Sequence, residues 1–244
     1  MKSEDGVSRI NKYLAHAGIC SRREADRLIE QGRVLVNGHL PVPGQQVSER
    51  DEISVNGRKI QGAEKPVVLA FYKPVGVTCT EKDAHAEKII ADIVHYPVRV
   101  TYAGRLDKDS EGLLILTNDG DLIQKMMKGE NRHEKEYIVK VDKEVTPEFL
   151  IKMESGIYLK DLKIKTRECR TRQIGKYTFK IVLTQGVNRQ IRRMCAACGW
   201  RAKEIKRIRV MSVTLGNLKP GEFAELSEQE TERLYRDCGI SLTK

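Results

Sequence analysis

At 244 residues, 40% hydrophobic and 32% charged, the chain has the composition of a folded protein, and its length predicts one large domain with a smaller one. No apolar run reaches the ~18 residues of a membrane-spanning helix, the N-terminal "MKSEDGVSRINKYL" lacks the apolar segment of a signal peptide, and a cytoplasmic protein whose six cysteines are thiols is expected. The net charge of +10 points to a polyanionic partner.

In chain order, Ile10 and Leu14 mark a short amphipathic helix ending near Gly18. Ser21 and Glu24 have the spacing of a capping box, and a second helix buries Ala25, Leu28 and Ile29 before Gly32. That burial leaves Arg22, Arg23 and Arg27 facing water near a helix N-terminus, an arrangement suited to phosphate, although Glu24, Asp26 and Glu30 could equally make it a solvated face. Asn37-Gly38 and Asn56-Gly57 are hairpin signals, so residues 9–60 read as two helices followed by small strands. "QGAEK" before Pro66 reads as a linker.

Beyond the linker, strands are predicted near 67–72, 98–103, 112–117, 135–141, 176–184 and 205–215. Helices are predicted near 84–95, 120–128, 147–155, 188–198 and 227–236. This mixed order predicts an α+β domain with a largely antiparallel sheet flanked by helices. The basic charge is local: residues 186–209 hold eight Lys or Arg against Glu204 alone, as a phosphate-binding surface would.

"GRLDKDSEGLLILTNDGDL", residues 104–122, concentrates acids in a basic chain. "DKDSEG" has the acids and glycine of a calcium loop, but Asn118 stands where the final bidentate Glu is needed and a strand pattern replaces the flanking helix. Asp109, Glu111 and Asp119 fit a solvated turn. Asp107, between Arg105 and Lys108 at the end of a strand, has cations that favour its ionised form, and an ionised, fixed carboxylate can act as nucleophile or base. Cys195-Ala-Ala-Cys198 stands alone without a second ligand pair, so no metal site is assigned.

Two resemblances give these features a meaning. "INKYLAHAGICSRREADRLIEQGRVLVNG" resembles the S4 RNA-binding domain, which implies recognition of structured RNA by shape and phosphate through Arg22, Arg23 and Arg27. "YKPVGV" at 72, "AGRLDKDSEGLLILTNDGDL" at 103, "HEKEYIV" at 133 and "QGVNRQIRRMCAACGW" at 185 occur in the order of the RsuA-type ribosomal RNA pseudouridine synthases, and "GRLDKDS" with "NRQIRRM" is most similar to the RluF branch. Tyr72 stands where many members have Asn. The resemblances imply an S4 domain over 8–62 and a pseudouridine synthase domain over 66–240.

The family implies that Asp107 acts at the sugar of a flipped-out uridine, by attack at C1′ or by taking a C2′ proton. It makes Tyr137 the active-site tyrosine, which stacks on the freed base and accepts the C5 proton, and Arg192 the basic partner of Asp107. Arg105 fills the gap left by the extruded uridine, Lys73 orients the active-site loop and binds RNA, and Arg189, Gln190 and Arg193 contact RNA backbone. The isomerisation needs no metal or organic cofactor. The expected substrate is a ribosomal RNA stem-loop, 23S in this branch, with tRNA a second candidate, and the expected enzyme is a monomer needing no membrane or protein partner. The rival is a non-catalytic S4 protein that assembles ribosomes.

Overall fold

The computed structural model describes residues 7–60, 62, 64–80 and 87–241. They divide into two compact units, one holding the residues up to Val67 with Tyr96–Val100 and Asn118–Gly120, the other the remainder.

The first unit begins with β1 (Ser8–Arg9), α1 (Ile10–His16) and α2 (Arg22–Glu30). It continues with β2 (Val34–Val36), β3 (Gln46–Val47), β4 (Ile53–Val55) and β5 (Arg58–Lys59). The Ser21 hydroxyl accepts from the Glu24 amide at 3.3 Å and caps α2. Both turn pairs, Asn37-Gly38 and Asn56-Gly57, have positive φ at each residue, the conformation that Asn-Gly adopts at least cost. Ile10, Leu14, Ala25, Leu28, Val34 and Ile53 meet in one apolar core, so α1 and α2 present their opposite faces to solvent.

The second unit is built on a nine-stranded sheet. Its strands are β6 (Val68–Lys73), β7 (Thr101–Ala103), β8 (Glu111–Thr117), β9 (Lys135–Val141), then, after the separate hairpin β10 (Tyr158–Leu159) and β11 (Ile164–Lys165), β12 (Arg170–Gly175), β13 (Thr178–Leu183), β14 (Ala202–Val210), β15 (Val213–Thr214) and β16 (Phe223–Glu225). The order is β12-β13-β9-β14-β8-β6-β16, with β15 on β14 and β7 on β8. Every pairing is antiparallel except β14 with β8. The helices are α3 (Gly120–Met127), α4 (Pro147–Glu154), α5 (Gln190–Ala197) and α6 (Glu228–Asp237). Phe149 of α4 stacks on Trp200 and meets Phe179 of β13 edge-on, tying the helix to the sheet.

Two expectations change, and one strand was not expected. The helix near 84–95 lies partly outside the described residues, and its described part holds one 3-10 turn, Ile90–Asp92, because Ile89, Ile90, Ile93 and Val94 are β-branched and Ile89 bridges to Thr78. The strand near 205–215 is two strands, folded back at Met211 with φ of 52°. The polar edge strand β12 gave no apolar alternation to read.

One backbone approach organises the sheet centre. Gly112 has φ of 107°, and a Cβ there would lie 2.2 Å from the Arg207 carbonyl oxygen, so only glycine lets β14 lie this close beside β8.

Candidate active site

All of the following geometry belongs to the second unit. The turn carrying Asp107 begins at Gly104, whose φ of 85° turns the chain out of β7. It is closed by the Ser110 amide donating to the Asp107 carbonyl at 3.1 Å. The neighbouring 74–77 loop is tied to it by the Gly76 amide, which donates to the Lys108 carbonyl at 2.8 Å. Lys73 pins that loop from beneath, with Nζ donating to the Pro74 and Val77 carbonyls at 2.8 and 2.9 Å. Its side chain is fully buried, and burial lowers its ammonium pKa, an effect that the charges of Cys79, Asp107 and Asp109 oppose. Lys73 therefore holds the loop from inside the fold, and its side chain is not at the surface, where a contact to RNA was expected.

Asp109 has more to do than sit in a solvated turn. Its carboxylate accepts two bonds from Arg189, at 3.0 and 2.9 Å, and lies 3.2 Å from Arg192 Nε. Burial raises its pKa, but the Arg189 bonds and the charges of Arg192 and Arg189 outweigh that and hold the carboxyl below its usual range. Arg192 also donates to the Asp109 carbonyl at 2.7 Å and to the Ala202 carbonyl at 3.0 Å. The expected Arg192–Asp107 pair is thus replaced by an Arg192–Asp109 pair: two backbone carbonyls and the Asp109 carboxylate already claim the guanidinium, and the result is a clamp between α5 and the turn.

Other residues of the basic helix also turn inward. Gln190 is 4% exposed and accepts from the Val187 amide at 3.1 Å, so its side chain bonds the start of α5 and little of it faces outward, where a contact to RNA backbone was expected. Arg193 pairs with Asp161 and donates to the Asn188 carbonyl at 2.9 Å. Cys195 is buried, which pushes its thiol up to about 12 and keeps it protonated at neutral pH.

Beside the turn opens a cleft of about 490 Å³, lined among others by Arg105, Asp107, Tyr137, Arg189 and Gln190, five of the residues singled out in the sequence. Asp107 is half-buried and Arg105 exposed, while Tyr137 on β9 is 9% exposed. Two further cleft residues escaped the sequence reading. Lys135, on the same strand, has its pKa lowered to about 8 by burial and then by the Arg207 charge. Arg207, on β14, is 2% exposed, and the signal for it was the alternation from Ile205, which puts position 207 on the inward side. His133 also lines the cleft, with its Nε2 3.2 Å from the Lys125 carbonyl oxygen and its pKa lowered by burial.

In the first unit, Arg22, Arg23 and Arg27 all lie on the exposed side of α2, with Arg27 3.3 Å from Glu24.

The chain resembles known proteins along most of its length. Residues 67–197 match the model of the RNA pseudouridylate synthases, and residues 8–53 match the S4 domain. The chain is 44% identical over 234 residues to the dual-specificity RNA pseudouridine synthase RluF of Escherichia coli strain K12, covering 95% of this chain and 80% of that protein. It is 36% identical to the ribosomal large subunit pseudouridine synthase B of Bacillus subtilis strain 168, covering 93% and 96%. A crystal structure of a pseudouridylate synthase superposes with a TM-score of 0.69 at 27% identity, covering 93% of this chain and 99% of that one.

Proposed function

This chain belongs to the RNA pseudouridylate synthase family, and from that premise we propose how its own residues turn uridine in ribosomal RNA into pseudouridine. It is an RNA pseudouridine synthase with an S4 domain in front, and its substrate is RNA. The observation that carries the mechanism is that Arg105, Asp107 and Tyr137, from two distant stretches of sequence, line a single cleft.

Uridine in a stem is stacked, so it must leave its helix to enter that cleft. Arg105, exposed at the rim, occupies the space the nucleotide vacates. Asp107 acts on the sugar, by attack at C1′ or by removing a C2′ proton, and the C1′–N1 bond breaks. The base turns against the Tyr137 ring, C5 joins C1′, and the phenol oxygen takes the C5 proton as it releases its own to water, which returns one to N1, so the reaction is an isomerisation with no change in composition. Arg192 acts one step back from the chemistry, holding the turn through Asp109. Arg189 and Arg193, on or beside α5, add positive potential for the RNA backbone.

We assign the S4 domain to 8–62 and the catalytic domain to 66–240, with Arg22, Arg23 and Arg27 docking the RNA. The target is a 23S stem-loop, tRNA is a second substrate to test, and the enzyme works as a cytoplasmic monomer. No helix among the described residues is long and apolar enough to cross a membrane. A purely non-catalytic assembly role is not favoured, since it leaves the cleft and its carboxylate without use.

The test is Asp107→Asn, which removes charge with little change of volume. Pseudouridine should vanish from the RNA while RNA affinity stays within a few-fold. Retained turnover would remove Asp107 from its role, and a pseudouridine map of ribosomal RNA from cells lacking the protein identifies the uridine.

A further inference from the structure

Among the described residues, Arg207 is the most deeply buried arginine. It sits on β14 between two strands that both carry the site. On one side it pairs in parallel register with Gly112 of β8, and on the other it stands opposite Tyr137 of β9. Residues directly opposite in an antiparallel pair project to the same face, with Cβ atoms about 5 Å apart. The β9–β14 register shifts between Arg207 and Arg209, an irregularity of the kind that re-aims side chains beside active sites.

Its guanidinium is only partly satisfied. Nε donates to the Leu113 carbonyl at 2.7 Å and Nη1 to the Arg105 carbonyl at 3.5 Å, which fixes the plane of the group. Nη2 is buried and has no hydrogen-bond partner among the described residues, although Arg207 lines the cleft. An unpaired N–H on a buried cation costs more than one on a neutral group. Both bonds that the group does make go to backbone carbonyls, which leave its charge unbalanced. The surroundings add to that excess: Lys135, on the neighbouring strand, is close enough that the Arg207 charge lowers its pKa. Although Asp107 lines the same cleft, Nη2 donates no hydrogen bond to it, and this donor is left for an acceptor that the described residues do not supply.

The pseudouridine reaction supplies one. When C1′–N1 breaks, its electron pair leaves on N1 and spreads over the O2 and O4 oxygens of the detached base. The same pair later forms C5–C1′, C5 loses its proton, and N1 gains one. Phosphates stay on the RNA backbone at the rim, within reach of exposed Arg105, whereas the floor beside the tyrosine is reached by the base. Resting on the function proposed above, we propose that Arg207 Nη2 donates a hydrogen bond to a carbonyl oxygen of the detached uracil and stabilises its negative charge while the glycosidic bond is broken. No proton is transferred in this contact. The donor is held by the sheet before substrate arrives, which makes such a contact stronger in the transition state than in the ground state.

The test uses full-length protein and a stem-loop RNA carrying uridine, 5-fluorouridine or 5-deuterouridine at the target, followed under single-turnover conditions. Fluorine makes uracil a better leaving group that needs less help. Arg207→Met should slow uridine by ~10² or more, slow 5-fluorouridine much less, and show no isotope effect from deuterium at C5. Arg207→Lys, which keeps the charge, should recover part of the rate. Equal slowing of uridine and 5-fluorouridine would mean that Arg207 only shapes the cleft. A C5 isotope effect, the signature expected of Tyr137→Phe, would mean that it acts through the tyrosine; either result overturns the proposal. If melting shows Arg207→Met to be unfolded, Arg207→Lys carries the same comparison, with uridine-selective slowing as support and uniform or absent slowing as refutation. A wild-type protein that forms no pseudouridine in any RNA would remove the family mechanism itself, a distinct outcome.

Discussion

Lys135 gives the cleft a measurable energetic signature. Burial and the nearby Arg207 charge lower its pKa from 10.5 to about 8. At ~1.4 kcal/mol per pH unit, keeping this ammonium charged in the folded protein at pH 7 costs up to about 3 kcal/mol. Because the folded-state pKa lies below the unfolded one, the unfolded chain binds the extra proton between about 8 and 10.5, so this site makes stability rise with pH through that window. The same linkage leaves about 2 kcal/mol of the cost at pH 9, a change of roughly 1 kcal/mol from pH 7. Lys135→Met keeps the length of the side chain and removes the charge. Urea unfolding should find the variant more stable than wild type at pH 7, by up to ~3 kcal/mol, with its advantage smaller by ~1 kcal/mol at pH 9. An advantage that does not change with pH, or none, would show that Lys135 titrates normally and that the cleft floor is open to water. A protein that retains so costly a cation inside a cleft has a use for it there, as perturbed groups in clefts commonly do.

Much of this was legible in the sequence because local physics wrote it there. Asn-Gly pairs set two turns in the first unit, Ser21 capped the helix it precedes, and the apolar run 113–116 became the buried centre of a sheet. Asp107 and Tyr137 were legible by motif, and both line the cleft. The partnership of Arg192 was not, because spacing along the chain does not say which of two carboxylates, two residues apart in a turn, points at a helix more than eighty residues later. Burial defeated the reading of Lys73 and Gln190: both are polar residues beside basic ones, a pattern that looks like surface until the sheet closes over it. Arg207 was hidden among the basic residues of 186–209, where only the period-two alternation distinguishes a buried arginine from its half-buried neighbours.

Two further expectations follow from the arrangement. Arg22→Ala with Arg23→Ala should weaken RNA binding and flatten its salt dependence by roughly 0.7–0.9 in logarithmic slope for each phosphate that is no longer neutralised; an unchanged slope in a salt titration would make these arginines a solvated helix face. Asp109→Asn tests the clamp on the catalytic turn. The substitution leaves Asp107 and the cleft lining chemically intact but removes the charge that draws Arg189 and Arg192 to the turn, and these half-exposed ion pairs are individually weak, so global stability should move by no more than ~1 kcal/mol. Catalysis is the more sensitive readout, because a displacement of about 1 Å at a reacting group costs on the order of 10²-fold. The maximal rate should therefore fall while RNA affinity stays within a few-fold. A full rate in Asp109→Asn would show that the backbone bonds of Ser110 and Gly76, with that of Arg192 to the Asp109 carbonyl, hold the turn without the carboxylate.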